Sequence, residues 1–373
     1  MSMLATVVQY VVPFLLILSV VVFVHEFGHY WVARRNGVRV ETFSIGFGPE
    51  LFGRFDRHGT RWKVSAVPLG GYVKMLGDAD ATSSTVEIKT ARDPDSFPGK
   101  NVWQRMAIVF AGPAANFIFA IVVLAALFSI SGRPFTPAEV GAVQDGSPAA
   151  AAGLLPGDRI LGIGDQTIDS FEALQGIVRE SAGESLEFHI ERDGQPLTVP
   201  VTPAMTEMTD RFGNTHRIGL IGVSRAQVEY RRVNPVSALW EATAETGRMI
   251  GGTLAALWEM IIGSRGTAEL GGPLRIAQMS GEIAQDGLVP AIWFAAILSI
   301  NLGLINLFPI PMLDGGHLLM YGIEAARGRP LTERSQEIAF RFGLAMVLSL
   351  MVFATWNDLV HLKIVEFFSN LIS

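Results

Sequence analysis

The feature that most constrains this chain is a set of long stretches without a single charged side chain. Met3 to Val24 holds no Asp, Glu, Lys or Arg. As a helix those 22 residues rise about 33 Å, one hydrocarbon thickness. Ala107 to Ser131 and Ala291 to Leu313 are two more uncharged runs. Phe342 to Trp356 is a shorter fourth, which needs neighbours such as Ile338 and Phe340 to reach across. Backbone in lipid must satisfy its own hydrogen bonds, so such runs are helices. The composition agrees, with 49% of residues hydrophobic and only 17% charged; ordinary soluble domains carry about 25% charge. The first run does not read as a cleaved leader, because no basic residue precedes it and Arg34 and Arg35 follow it. A net charge of -6 argues against a nucleic-acid partner, which calls for a basic face.

Basic residues orient the spans. Residues 32–106 contain twelve Lys or Arg, whereas 132–203 contain four against eleven Asp or Glu. The segment after span three is basic again, with Arg327, Arg329, Arg334 and Arg341. The expected topology has the N-terminus outside, 32–106 inside, 132–290 outside, 314–340 inside and the C-terminus outside.

The chain has no cysteine, so any metal must be held by His, Asp or Glu. Span one continues into Val24-His25-Glu26-Phe27-Gly28-His29. Two His at i and i+4 share a helix face and can hold one Zn²⁺. Glu26 stands beside them, placed to take a proton from water at the metal. Three ionisable groups within five residues at membrane depth are expensive and call for a function; the plainer reading is a polar contact between helices. A catalytic zinc takes three protein ligands and keeps one position open. Span three ends in Asn306-Leu307-Phe308-Pro309-Ile310-Pro311-Met312-Leu313-Asp314-Gly315-Gly316-His317. Spans one and three run in the same direction, so Asp314 falls at the depth of His25 and His29. Pro309 and Pro311 break the helix just before it, which membrane depth tolerates only beside protein or water. His317 is the competing third ligand. Asn306 is either an interhelical hydrogen bond or a contact to substrate or oxyanion.

These two motifs resemble the site-2 proteases, in the bacterial branch of the regulator of sigma-E protease. The resemblance covers nearly the whole chain and rests on His25-Glu26-x-x-His29 and on Asn306-x-x-Pro309-x-Pro311-x-Leu313-Asp314-Gly315. It implies that His25, His29 and Asp314 bind Zn²⁺, that Glu26 is the catalytic base and that Asn306 contacts the scissile region. Gly112-Pro113-x-x-Asn116 also resembles a family feature, and reads equally well as a tight helix-packing site with a polar cap.

Trp62 to Leu76 carries partly alternating residues around Pro68-Leu69-Gly70-Gly71, which predicts a hairpin turn there. The resemblance implies a membrane-associated β-hairpin in this place. Gly70, Gly71 and Tyr72 are then candidates for holding an unwound substrate by strand addition. Residues 77–101 are polar and read as a mobile loop. Further on, Ser147-Pro148-Ala149 with Gly153-Leu154 and Gly157-Asp158-x-Ile160 resembles a PDZ domain of bacterial protease type, a module that takes extended peptides at a sheet edge. One such domain is visible, where well-known members of this branch carry two. Val236 to Ile262, apolar but interrupted by Glu241, Glu245, Arg248 and Glu259, reads as an amphipathic helix on the outer membrane surface.

The expected architecture is an α-helical polytopic membrane protein with about four transmembrane helices, the β-hairpin and one small α/β PDZ-like domain. Its divisions are 1–131, 132–204 for the PDZ-like domain, 205–289 for a linker with amphipathic helices, and 290–373. The resemblance implies an intramembrane zinc metalloprotease of the bacterial inner membrane with an extracytoplasmic, periplasmic PDZ domain. Its substrates would be single-pass membrane proteins cut in regulated intramembrane proteolysis, for example an anti-sigma factor, with a PDZ peptide ligand or substrate ectodomain as a further partner beside the lipid bilayer. The rival classes are a catalytically inactive PDZ-bearing membrane scaffold, and a transporter, which the lack of an evident inverted repeat disfavours.

Overall fold

A computed structural model describes residues 3–77, 93–209, 215–227, 229–263 and 271–361. Of the polar loop expected at 77–101, residues 78–92 lie outside these. The chain divides into two compact units, one of Met1–Ala125, Leu239–Gly252 and Ala268–Ser373, the other of Ala126–Ala238 and Thr253–Thr267.

In the first unit, α1 (Met3–Arg35) continues past Val24, so the His-Glu motif lies inside the helix rather than at its end. Arg34 and Arg35 occupy the last turn, where positive charge suits the helix dipole. Gly37 follows at φ +68, the left-handed geometry that ends helices. Next come β1 (Val40–Phe55) and β2 (Arg61–Met75).

The expected hairpin turn is in the wrong place. The reversal falls at Asp56–Thr60, where the Asp56 carboxylate accepts from the backbone N–H groups of His58 and Thr60. Pro68-Leu69-Gly70-Gly71 lies inside β2 instead. Both strands bend there and at Gly46–Gly48, with Gly46, Gly48 and Gly70 all at positive φ. The bends create four short segments from two strands. Glu50 to Phe55 pairs antiparallel with Ser65 to Arg61, and Val40 to Ile45 with Met75 to Gly71. A third register, Thr42 with Arg61, Phe43 with Trp62 and Ser44 with Lys63, climbs in the same direction on both sides and joins the two pairs. Among the described residues no strand other than β1 pairs with Gly71 to Met75, so this segment is an edge of the sheet.

Helix α2 (Val102–Ile130) follows. Ala33, Val38, Val40, Met75 and Ile108 are buried together at the foot of α1, the sheet and α2.

The second unit opens with β3 (Arg133–Phe135), β4 (Val140–Val143) and α3 (Pro148–Ala151). Ser147 caps α3 by accepting from the Ala150 N–H, and Pro148 fills the first turn, where no donor is missed. Then come β5 (Arg159–Ile163), β6 (Gln166–Thr167) and α4 (Phe171–Glu180), the last capped by Ser170. Strands β7 (Leu186–Arg192) and β8 (Gln195–Val201) complete a sheet of order β6-β5-β7-β8. Phe188 and Ile190 point inward from β7, as their alternation predicts, onto Ile160, Leu174 and Leu154. Each such side chain contributes about 1.5–3 kcal/mol by leaving water.

The PDZ-like body does not end at 204. Residues expected to be linker form β9 (Ala204–Thr209), β10 (Thr215–Leu220), β11 (Val223–Arg225) and β12 (Glu229–Arg231). β11 pairs with β4 and β12 with β3, so the unit is completed by chain some eighty residues downstream.

Helix α5 (Pro235–Ile261) occupies the stretch expected to be amphipathic. Helices α6 (Pro273–Gln285), α7 (Leu288–Asn306), α8 (Asp314–Arg327) and α9 (Glu333–His361) end the described chain. The third apolar run is helical only to Asn306, not to Leu313. Pro309 and Pro311 lack N–H donors and push the residues before them out of the α region, and Met312 is held at φ 97. Among the described residues four helices are long and apolar enough to cross a membrane: Val8–Arg35, Val102–Ile130, Leu288–Asn306 and Arg334–Leu359. The fourth is longer than its uncharged core suggested. Near its end the buried Asp358 accepts from the N–H groups of Gly272, Leu274 and Arg275, capping α6 and satisfying donors that an apolar environment would leave stranded.

Candidate metal centre

Two imidazoles and one carboxylate meet inside the first unit. His25 and His29 stand one turn apart on α1, both buried, with their Nε2 atoms 3.2 Å apart. Asp314, the first residue of α8, places Oδ2 3.2 Å from the Nε2 of His25 and 3.5 Å from that of His29. This carboxylate comes forward because the chain turns sharply between α7 and α8. Gly315 and Gly316 permit the turn: a Cβ on either would fall 2.2 or 2.3 Å from a backbone oxygen of Leu307 or Ile310.

Helix α2 seats the imidazoles. A Cβ on Gly112 would stand 2.2 Å from the Nε2 of His29 and 2.9 Å from Cε1 of His25, so only glycine fits opposite the pair. Gly28 allows the same closeness from α1, where a Cβ would meet the Ala111 carbonyl at 2.2 Å. His29 Nδ1 lies 2.9 Å from the Ile108 carbonyl. A carbonyl only accepts, so that nitrogen carries the proton, and in the neutral ring Nε2 is the one with the lone pair.

The donor set fits zinc. The three atoms can serve one ion. Their separations, 3.2, 3.2 and 3.5 Å, match the edge of about 3.3 Å expected of a tetrahedron with bonds of about 2.0–2.1 Å. Asp314 Oδ2 is buried with no hydrogen-bond donor, an acceptor left for something other than protein.

The three groups line a cavity of about 390 Å³ together with Glu26, Asn306 and the edge segment of the sheet. Glu26 accepts a backbone hydrogen bond from Val73. Gly71 lies so close to α1 that a Cβ would stand 3.1 Å from the Glu26 Cγ. Tyr72 is also in the wall, stacked on Phe47. Gly70 is not among the lining residues; it sits under the Phe47 ring, where a Cβ would come within 2.5 Å. His317 lines the cavity but stands outside the three-ligand cluster. Sequence reasoning left Gly112 and Asn116 undecided and did not single out Met312, whose positive φ puts a strained residue in the cavity wall; the Pro-x-Pro before it was the available signal.

Comparison with known proteins agrees with this geometry. The model of Peptidase family M50 matches residues 13–350. The chain belongs to that family. A relative from Agrobacterium fabrum, whose name provisionally assigns it as a zinc metalloprotease, is 46% identical over 362 residues, 95% of this chain and 96% of that protein. The metalloprotease MmpA of Caulobacter vibrioides is 39% identical over 388 residues, 96% of this chain and 98% of that protein. The PDZ domain of an SdrC-like protein from Listeria monocytogenes aligns with 24% of this chain and 88% of its own, at 18% identity and a TM-score of 0.20, too loosely to add to the topology described above. This M50 peptidase is accordingly a multi-pass membrane protein and a zinc metalloendopeptidase of the site-2 protease family.

Proposed function

We propose that this peptidase cleaves transmembrane segments of single-pass membrane proteins inside the bilayer, with His25, His29 and Asp314 as the zinc ligands and Glu26 as the base. The observation that carries the reading is the orphaned Asp314 Oδ2, aimed at the Nε2 atoms of His25 and His29 in a cavity that also holds Glu26. When bound, zinc supplies Lewis acidity and brings water toward ionisation near neutral pH.

The remaining steps belong to the chain. Glu26 takes a proton from the attacking water and delivers it to the departing amine. The Val73 N–H that faces it holds the carboxylate in place. Gly71, Tyr72, Val73 and Met75 lie on the edge segment of the sheet and line the cavity, which suits strand addition of an unwound substrate. A helix hides its peptide bonds, so such unwinding must precede attack. Gly71 and Tyr72 line the cavity, Gly70 shapes the bend, and Asn306, at the end of α7 and also in the cavity wall, would contact the scissile region. The Lys and Arg distribution supports an inner-membrane topology with the metal centre on the cytoplasmic side and the PDZ-like unit in the periplasm. There that unit would engage an extended peptide or the ectodomain of the substrate. Release of a cytoplasmic fragment, as from an anti-sigma factor, is the signalling event this arrangement suits.

The test is Glu26→Gln in purified enzyme with a reconstituted single-pass substrate. Zinc content should stay at the wild-type level while cleavage falls at least about 10²–10⁴-fold. Unchanged cleavage would remove Glu26 from its role.

A further inference from the structure

Among the described residues, two buried side-chain polar atoms have no hydrogen-bond partner: Asp314 Oδ2 and the amide oxygen of Asn116. The first is accounted for by the metal. The second lies in the same site, on a fully buried side chain whose amide nitrogen stands 3.3 Å from the Nδ1 of His25.

That contact runs the wrong way for a ligand. If the amide NH₂ donated to Nδ1, the single proton of a neutral His25 would sit on Nε2. The ring would then have no lone pair to give alongside Asp314. A His25 that serves the cluster through Nε2 carries its proton on Nδ1, and Nδ1–H needs an acceptor. The two ends of an amide differ little in shape, and a half-turn exchanges them. Turned so, Asn116 presents its orphaned oxygen to the Nδ1–H of His25.

The surroundings support a built position. Ile108, Gly112 and Asn116 are spaced by four along α2, so they form one stripe facing the two imidazoles. Ile108 already takes the Nδ1 proton of His29 through its carbonyl, and Gly112 gives both rings room. Asn116 does for the second ring what a backbone carbonyl does for the first. Its own backbone is held by α7: Ser299 Oγ donates to the Asn116 carbonyl at 3.0 Å, and a Cβ on Gly303 would rest 3.3 Å from the Asn116 Cβ.

We infer that Asn116 is a positioning residue of the metal centre, its amide oxygen accepting the Nδ1 proton of His25 and so fixing the tautomer that offers Nε2 to zinc. This rests on the zinc reading above. Partners of this kind typically change metal affinity about 10–100-fold.

The experiment measures zinc affinity by chelator competition on the full-length protein in detergent, with thermal unfolding of the metal-free form recorded in parallel. Asn116→Leu keeps the shape and removes the acceptor. It should weaken zinc about 10–100-fold while the metal-free protein unfolds at its usual temperature. Asn116→Asp accepts and cannot donate, and should hold zinc within about threefold of wild type. The Co²⁺-loaded Asp variant should also reproduce the wild-type visible spectrum. Wild-type affinity in the Leu variant would overturn the inference. So would an equal loss in both variants, which would mark the position as one of packing alone. Should the Leu variant not fold, Asn116→Ala is read by the same criteria. His25→Ala separates the two layers: if it binds zinc as wild type does, the ligand assignment itself fails; if it loses zinc while Asn116→Leu does not, only the role of Asn116 falls.

Discussion

Two aspartates with a buried carboxylate oxygen, Asp158 in the PDZ-like unit and Asp314 in the membrane unit, are finished differently. In the PDZ-like unit Asp158 is 1% exposed and both of its oxygens are used. Oδ1 accepts from Arg192 Nε at 2.7 Å, and Oδ2 accepts from Arg192 Nη2 at 2.6 Å and from the Leu155 N–H at 2.8 Å. Arg192 also reaches the Gly153 carbonyl. In the membrane unit Asp314 Oδ2 meets the Nε2 atoms of two imidazoles and has no hydrogen-bond donor. Burial without satisfaction costs free energy unless something else supplies the partner. Asp158 therefore reads as structure and Asp314 as function.

That contrast can be broken from either side. Asp314→Ala should reduce zinc affinity by more than about 100-fold, since a catalytic site has three protein ligands to lose, and should abolish cleavage. The metal-free protein should unfold as wild type does, because the buried Asp314 Oδ2 has no hydrogen-bond donor to lose; a clear fall in its melting temperature would make Asp314 a structural residue. Gly112→Ala should be nearly as damaging to zinc binding, since its methyl group must share space with the His29 ring. Zinc titration showing ordinary affinity would mean that α1 and α2 can separate there without consequence.

Asp158→Ala should act in the opposite sense. It removes a charged hydrogen-bond acceptor and should cost the PDZ-like unit about 2 kcal/mol, read by denaturant unfolding of that unit, with zinc content unchanged. The smallest effect is the acid limb. Burial works against the Asp158 carboxylate, but Arg192 and the Leu155 N–H outweigh it and hold its carboxyl below the ordinary value. The folded-state pKa is thus depressed. Its stabilisation should be complete above about pH 4 and fade as pH falls below the unfolded value. An Asp158→Asn protein whose unfolding has the same acid dependence as wild type would contradict this.

The same contrast shows how far the sequence could be read. His25, Glu26 and His29 were legible because spacing along one helix fixes their geometry locally. Asp314 was legible because a helix break by Pro309 and Pro311 at matching depth is itself a signal. The cavity wall was harder. The hairpin was expected at Pro68–Gly71 because Pro and Gly mark turns, yet these residues bend a strand within a sheet whose register is set by β1, far from them in sequence. β11 and β12 read as linker in the sequence because their partners, β4 and β3, lie on the far side of the domain in sequence. Neither the orientation of the Asn116 amide nor the reach of Asp358 to α6, 86 residues away, leaves any periodic trace.

The central claim is that His25, His29 and Asp314 hold one zinc ion, and X-ray absorption on the purified enzyme addresses it directly. One zinc per chain should show two imidazole nitrogens at about 2.0–2.1 Å and carboxylate oxygen at about 2.0–2.2 Å, with the imidazole signal lost in His25→Ala and His29→Ala. A wild-type enzyme that cleaves its substrate with no bound metal, or a zinc shell that is the same in the His25→Ala, His29→Ala and Asp314→Ala proteins, would contradict the account.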